Sequence, residues 1–299
     1  MDFKNDILKM RNGLSQGSLK TYNSLLKSMY KAIWPSSVDK PDIKNFNKVD
    51  DILTFLNNKS PSSRKTYLSA LVVMTDNNDY KKMMNEDMAE YKKIVDTNIK
   101  NEKQELNDIS TDEIKEILNK LKKESELIYK KEKLTMNDLQ KIQDFIILCL
   151  VSPILNIPRR ALDYTLMKFR GDIDEKKDNF LDMKNNKLIF NVFKTSKYHH
   201  QQFLNINNEL KVILRKWIKN IPDGIDHLLF NSKNQPLSSI TLNQRLNKIF
   251  KGRKISVNQM RHTFMSDKYA DVVKAEKEMG DDLNKMGSSL LQKNVYVKL

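Results

Sequence analysis

Cysteine is all but missing from this sequence. The single residue, Cys149, lies inside an apolar run, so no intrachain disulfide can form and a reducing compartment fits. Histidine is scarce too. The four present (His199, His200, His227 and His262) show no HExxH pattern and no paired cysteines to join, which leaves a zinc site without support. Glycine numbers only 7, and no Walker-type phosphate loop occurs. With its abundant Lys and Asn, this is a composition that an AT-rich genome produces. Long apolar runs are absent as well. The longest, Phe145 to Val151 and on through Ile154-Leu155, is broken by Ser152-Pro153 and too short to span a bilayer. The opening MDFKNDILKM has no apolar stretch of a secretory signal. The expectation is a soluble intracellular protein with no membrane partner, no cofactor and no metal.

What the sequence has in plenty is positive charge. Lys and Arg total 53 against 38 Asp and Glu, a formal net charge of +15. Such an excess attracts a polyanion, and counterion release makes nucleic acid the natural one. A hydrophobic share of 39% fills real cores, and 299 residues suffice for one large domain or two ordinary ones.

The apolar spacing predicts helices through the first third of the chain. Leu19, Tyr22, Leu25, Leu26, Met29, Tyr30 and Ile33 recur at helical intervals between Ser15 and Trp34, stopped by Pro35. A short helix follows over Val49 to Leu56, and Ser60-Pro61 opens a third. A fourth runs from Asp79 to about Ile99, its stripe of Met83, Met84, Met88, Tyr91, Ile94 and Val95 expected in the core. The polar stretch KNEKQELN then marks a boundary. Residues 1–99 read as one helical domain, 100–109 as a linker and 110–299 as a second domain. In that second domain helices are expected from Ser110, over Asn137 to Val151, and after Ile157. Lys187 to Phe193 and His200 to Ile206 read as two strands joined by a turn at Lys194 to His199. Further helices cover Asn207 to Ile218, Ser239 to Phe250, Val257 to about Ala270, Asp281 to Met286, and a short piece around Tyr296. The fold class is mainly α, with a small antiparallel β-sheet in the second domain.

Four motifs stand in one order. Val257-Asn-Gln-Met-Arg-His-Thr-Phe264 resembles the second active-site box of the tyrosine recombinases, the phage-integrase family, written H-x-x-R-H-[ST]-F. Arg261, His262, Thr263 and Phe264 match it, while Asn258 stands where the first histidine is expected. Upstream, Pro158-Arg159-Arg160-Ala161-Leu162-Asp163 resembles the first box, an Arg followed three residues later by an acid; Arg160 and Asp163 take those places and Arg159 is a spare neighbour. Lys194-Thr195-Ser196-Lys197 sits at the hairpin turn where the family carries a lysine. Met286-Gly287-Ser288-Ser289 resembles the Gly-His-Ser element, with Ser288 in the histidine's place, and Tyr296 follows. The N-terminal pieces LSQGSLKTYNSLL and SPSSRKTYLSAL are similar to the family's core-binding, SAM-like domain. The compact form and the ending NVYVKL are nearest to integrases of large DNA viruses and their satellites.

The resemblance implies a site-specific recombinase or integrase acting on double-stranded DNA as a tetramer on paired sites. It implies catalysis by Arg160, Lys194, Asn258, Arg261, Ser288 and Tyr296, with neither ATP nor metal. Two guanidinium groups can grip the non-bridging oxygens of a phosphodiester and stabilise its pentavalent transition state. Tyr296 would be the nucleophile, forming a 3′-phosphotyrosine, and Lys194 would protonate the departing 5′-oxygen, with Lys197 as its rival for that role. Asn258 and Ser288 cannot serve as bases, which implies a slow enzyme. Only Val297, Lys298 and Leu299 follow Tyr296, so the tyrosine is expected to act in its own active site. Two rival readings share the motifs: a type IB topoisomerase-like relaxing enzyme, and a DNA-binding protein whose recombinase site has decayed.

Overall fold

The computed structural model describes residues 1–97 and 99–296. The chain forms two compact units, Met1–Lys100 and Asn101–Leu299. The first is helical: α1 (Lys4–Met10), α2 (Gln16–Ile33), α3 (Val49–Leu56), α4 (Pro61–Thr75) and α5 (Asn78–Asp96). Local chemistry sets the ends. The Ser15 and Ser60 hydroxyls accept from the backbone N–H groups of Ser18 and Ser63, and Pro61 occupies the first turn of α4, where no N–H is needed. Phe3, Tyr30 and Phe46 meet ring to ring at 5.2 to 5.7 Å in the core. The Tyr30 hydroxyl accepts from the Asp42 N–H at 2.9 Å and from Asn45 Nδ2 at 3.0 Å, so this buried phenol is satisfied. The methionine stripe of α5 departs from expectation. Met83 and Met84 pack on the core, but Met88, Tyr91, Ile94 and Val95 are exposed.

In the second unit α6 (Glu102–Leu106) lies within the stretch read as a linker; Asn101 and Gln104 cap it reciprocally. Then come α7 (Thr111–Ile128), α8 (Met136–Val151) and α9 (Ala161–Thr165), the strands β1 (Met167–Lys168), β2 (Asn179–Asp182), β3 (Lys187–Phe190) and β4 (Gln202–Asn205), and α10 (Asn208–Asn220), α11 (Ser239–Ile249), α12 (Val257–Lys285) and α13 (Lys293–Tyr296). The apolar run Phe145–Val151 is buried on all sides, which makes α8 the central core helix. Its polar Gln143 is buried without penalty, since its amide accepts from the Phe230 N–H and donates to the Phe230 carbonyl, both at 2.8 Å. Among the described residues no helix is long and apolar enough to cross a membrane.

The protein is mainly α with one small four-stranded sheet in the order β1-β2-β3-β4. The expected hairpin is β3–β4, with Lys187 opposite Asn205 and Phe190 opposite Gln202. Its strands are shorter than the sequence suggests and its connection longer. Strands β1 and β2 were not expected, and they pair in parallel, so the sheet is mixed rather than purely antiparallel. A second correction concerns α12. Two helices, Val257 to about Ala270 and Asp281 to Met286, were expected; instead one helix runs unbroken from Val257 to Lys285. Its end is a Schellman turn. Gly287 takes φ +72°, its N–H donates to the Asn284 carbonyl at 3.0 Å, and the Ser288 N–H donates to Leu283 at 2.7 Å.

Candidate active site

Two adjacent arginines have opposite fates. Pro158 and an extended Arg160 deliver the chain to α9, with Arg160 at its N-cap. Arg159 turns inward. Its Nε donates to Asp163 Oδ2 at 2.9 Å and its Nη1 to Gln202 Oε1 of β4 at 2.7 Å. Its guanidinium lies over the Phe190 and Phe193 rings at 4.1 and 5.0 Å. Arg159 is therefore no spare neighbour but a buried tie between α9 and the hairpin. Arg160 is half-buried, and its side chain has no hydrogen bond or ion pair among the described residues. The Asp163 side chain hydrogen-bonds Arg159, and the Arg160 charge acts on it as well. Burial pushes its carboxyl upward, against the pull of the Arg159 charge, and Oδ1 has no partner among the described residues.

The second box begins at the capped N-terminus of α12, where Ser256 Oγ accepts from the Gln259 N–H and the Val257 N–H donates to Asn243 Oδ1 of α11. Val257, Met260 and Thr263 face inward, and Thr263 Oγ1 donates to the Ile109 carbonyl at 3.1 Å. That spacing turns Asn258, Arg261 and His262 outward. Arg261 Nη1 donates to Asn258 Oδ1 at 3.0 Å, and Asn258 Nδ2 lies 3.1 Å from His262 Nε2. A guanidinium only donates, so the amide oxygen must face Arg261 and the amide NH2 must face His262. Arg261 keeps its other donors outward. Its charge also bears on Tyr164 of α9, whose phenol burial pushes up. The two box arginines thus stand on different elements, Arg160 at the start of α9 and Arg261 on α12.

Lys194 and Lys197 are both exposed in the turn between β3 and β4, as are His199 and His200. Ser288 is placed by the Schellman turn and its Oγ donates to Gln292 Oε1 at 2.6 Å. Tyr296 ends α13, and its side chain lies outside the described residues. The structure does not bring this tail to the arginines. Lys293 pairs with Glu276 on α12 at 3.4 Å. About 22 Å of helix axis separates Glu276 from Arg261 at the α-helical rise. Among the described residues no group of His, Cys, Asp and Glu could hold a metal ion.

Sequence reasoning passed over Asn179 and Gln202. The buried Asn179 accepts from the Asn191 and Val192 N–H groups at 2.8 and 2.7 Å, and donates to the carbonyls of Val192 at 2.8 Å and Asp163 at 3.1 Å. No spacing rule reveals such a residue.

No family model matches the chain, and no curated protein does. Among solved structures the chain is similar to a crystal structure of XerA recombinase, at 12% identity and a TM-score of 0.38, over 89% of this chain and 83% of that one. It is also similar to the Tn1549 transposon integrase, solved with a circular intermediate DNA, at 16% identity and a TM-score of 0.33, over 83% of this chain and 87% of that one.

Proposed function

We propose that the chain is a tyrosine recombinase that cleaves and rejoins double-stranded DNA through a phosphotyrosine at Tyr296. The observation that carries this reading is the contrast at the first box. One arginine is consumed by the fold, while its neighbour Arg160 stands at a helix N-cap with its donors uncommitted, and the charge of a second arginine, Arg261 of α12, acts on Tyr164 of the helix that Arg160 caps. Paired guanidinium groups of that kind bind a phosphodiester and stabilise added negative charge on it. Tyr296 gives up its phenolic proton to solvent water and attacks phosphorus, the bond to the 5′-oxygen breaks, and the Lys194 ammonium supplies that oxygen's proton. Asn258 donates hydrogen bonds but takes no proton. Residues 1–99 supply further phosphate contacts as a core-binding domain, and copies of the chain assemble on paired sites.

The distance along α12 favours a second reading, a DNA-binding protein that no longer cleaves. One experiment separates the two. A nicked suicide substrate, which loses its 5′-fragment and so blocks religation, should leave the protein covalently attached to DNA. Tight binding without any adduct would establish the second reading.

A further inference from the structure

We infer that Arg159, Asn179 and Gln202 are positioning residues that set the place of the hairpin lysine against Arg160; this rests on the strand-transfer reading. The turn bearing Lys194 has an exposed tip, yet both of its feet are fixed. At its start, Asn179 holds both backbone groups of Val192 and also reaches the Asp163 carbonyl inside α9. Four hydrogen bonds use the whole capacity of this buried amide. Phe193, immediately before Lys194, is buried under the Arg159 guanidinium. At the far foot, Gln202 takes the second hydrogen bond of the same guanidinium, and Gln201 Nε2 donates to Asn191 Oδ1 at 2.9 Å.

The ties through Asn179 and Gln202 lead to α9 or to the residue before Arg160, while the Gln201–Asn191 bond joins the two feet to each other. A turn held this way can flex at its tip when DNA arrives, while the lysine stays within a short arc of the phosphate that Arg160 holds. A group needed only for folding would not have to join the turn's two feet to the helix that presents the phosphate-binding arginine. The expected consequence is specific. Loosening the ties should impair protonation of the leaving 5′-oxygen and spare attack by the tyrosine.

The test compares two suicide substrates, one with the natural 5′-oxygen at the scissile bond and one with sulfur in its place. A thiolate departs without a proton, so the sulfur substrate needs no general acid. Gln202→Leu cuts the far tie and leaves Asp163 paired; Arg159→Lys keeps a cation beside Asp163 but loses the fork and the ring contact. Both are expected to slow adduct formation on the oxygen substrate by about tenfold or more, part of the roughly 10² to 10⁴ that general acid–base help supplies. On the sulfur substrate both should approach the parent rate, as Lys194→Ala should. Equal slowing on the two substrates, with the parent active, would overturn the positioning role alone. A parent that forms no adduct with either substrate would overturn the strand-transfer reading and this role with it.

Discussion

Arg159 donates to Asp163, four residues on, at 2.9 Å, with side-chain exposures of 15% and 2%. Arg160, next in the chain, has no such partner among the described residues. Removing half of a buried pair strands the other charge and typically costs about 3 to 5 kcal/mol. Arg159→Ala should therefore lower the urea midpoint sharply. Arg160→Ala should leave stability within about 0.5 kcal/mol and abolish the DNA adduct, since a half-buried side chain with no hydrogen bond or ion pair among the described residues contributes little to folding. Equal stability loss in the two variants would show that Arg160 too is spent on the fold.

The start of α8 offers a test by pH. The Lys131 ammonium at 2.6 Å and the Thr135 hydroxyl and N–H hold the Asp138 carboxyl down to about 2. A depressed carboxylate contributes its stability above its unfolded value, about 3.9, and loses it as pH falls toward the folded one. Asp138→Asn should be less stable than the parent at pH 6, and the gap should close between about pH 4 and pH 2. A gap that persists unchanged at pH 2 would mean the loss is one of packing rather than of charge.

How α12 divides the site leads to a mixing experiment. The unbroken helix keeps the α13 backbone far from Arg261 of the same chain. Proteins carrying Tyr296→Phe and Arg261→Ala, each inactive alone, are expected to form adduct when mixed, because the tyrosine of one copy then serves the arginines of another. Silence from the mixture, with the parent active, would mean that α12 bends and returns its own tyrosine. That outcome would restore the expectation drawn from the sequence.

Much of the fold could be read from the chain because its signals are local. Ser60-Pro61 opens α4, and the apolar spacing of Val49 to Leu56 matches α3 at both ends. What escaped was set by distant partners. β1 is two residues long, and β2 lies in an Asp- and Lys-rich stretch whose apolar residues are too few to show alternation. The split expected in α12 between about Ala270 and Asp281 did not form, and Gly280 lies inside the helix. A glycine inside a helix costs only about 1 kcal/mol relative to alanine. The true stop is Gly287, which takes the left-handed conformation a Schellman turn needs. At the site, the motif spacing marked Arg160 and Arg261 as candidates. The ties from Arg159 to Gln202 and from Asn179 to Val192 cross the sheet, and no interval along the chain announces them.

The net charge of +15 sets an expectation for binding. If roughly six to ten phosphates are contacted, affinity should fall by about three to five decades between 50 and 200 mM salt. Filter binding across that range measures the slope. A flat response would remove phosphate contacts from the account, and nucleic acid with them.

The central claim is that Tyr296 becomes joined to DNA. Protein trapped on a suicide substrate can be digested and its nucleotide-bearing peptide sequenced by mass spectrometry. The added mass should sit on Tyr296 and vanish in Tyr296→Phe, whose DNA affinity should stay close to the parent's because phosphate contacts dominate it. A nucleotide on any other residue, Tyr269 included, or an adduct that survives in Tyr296→Phe, would contradict it.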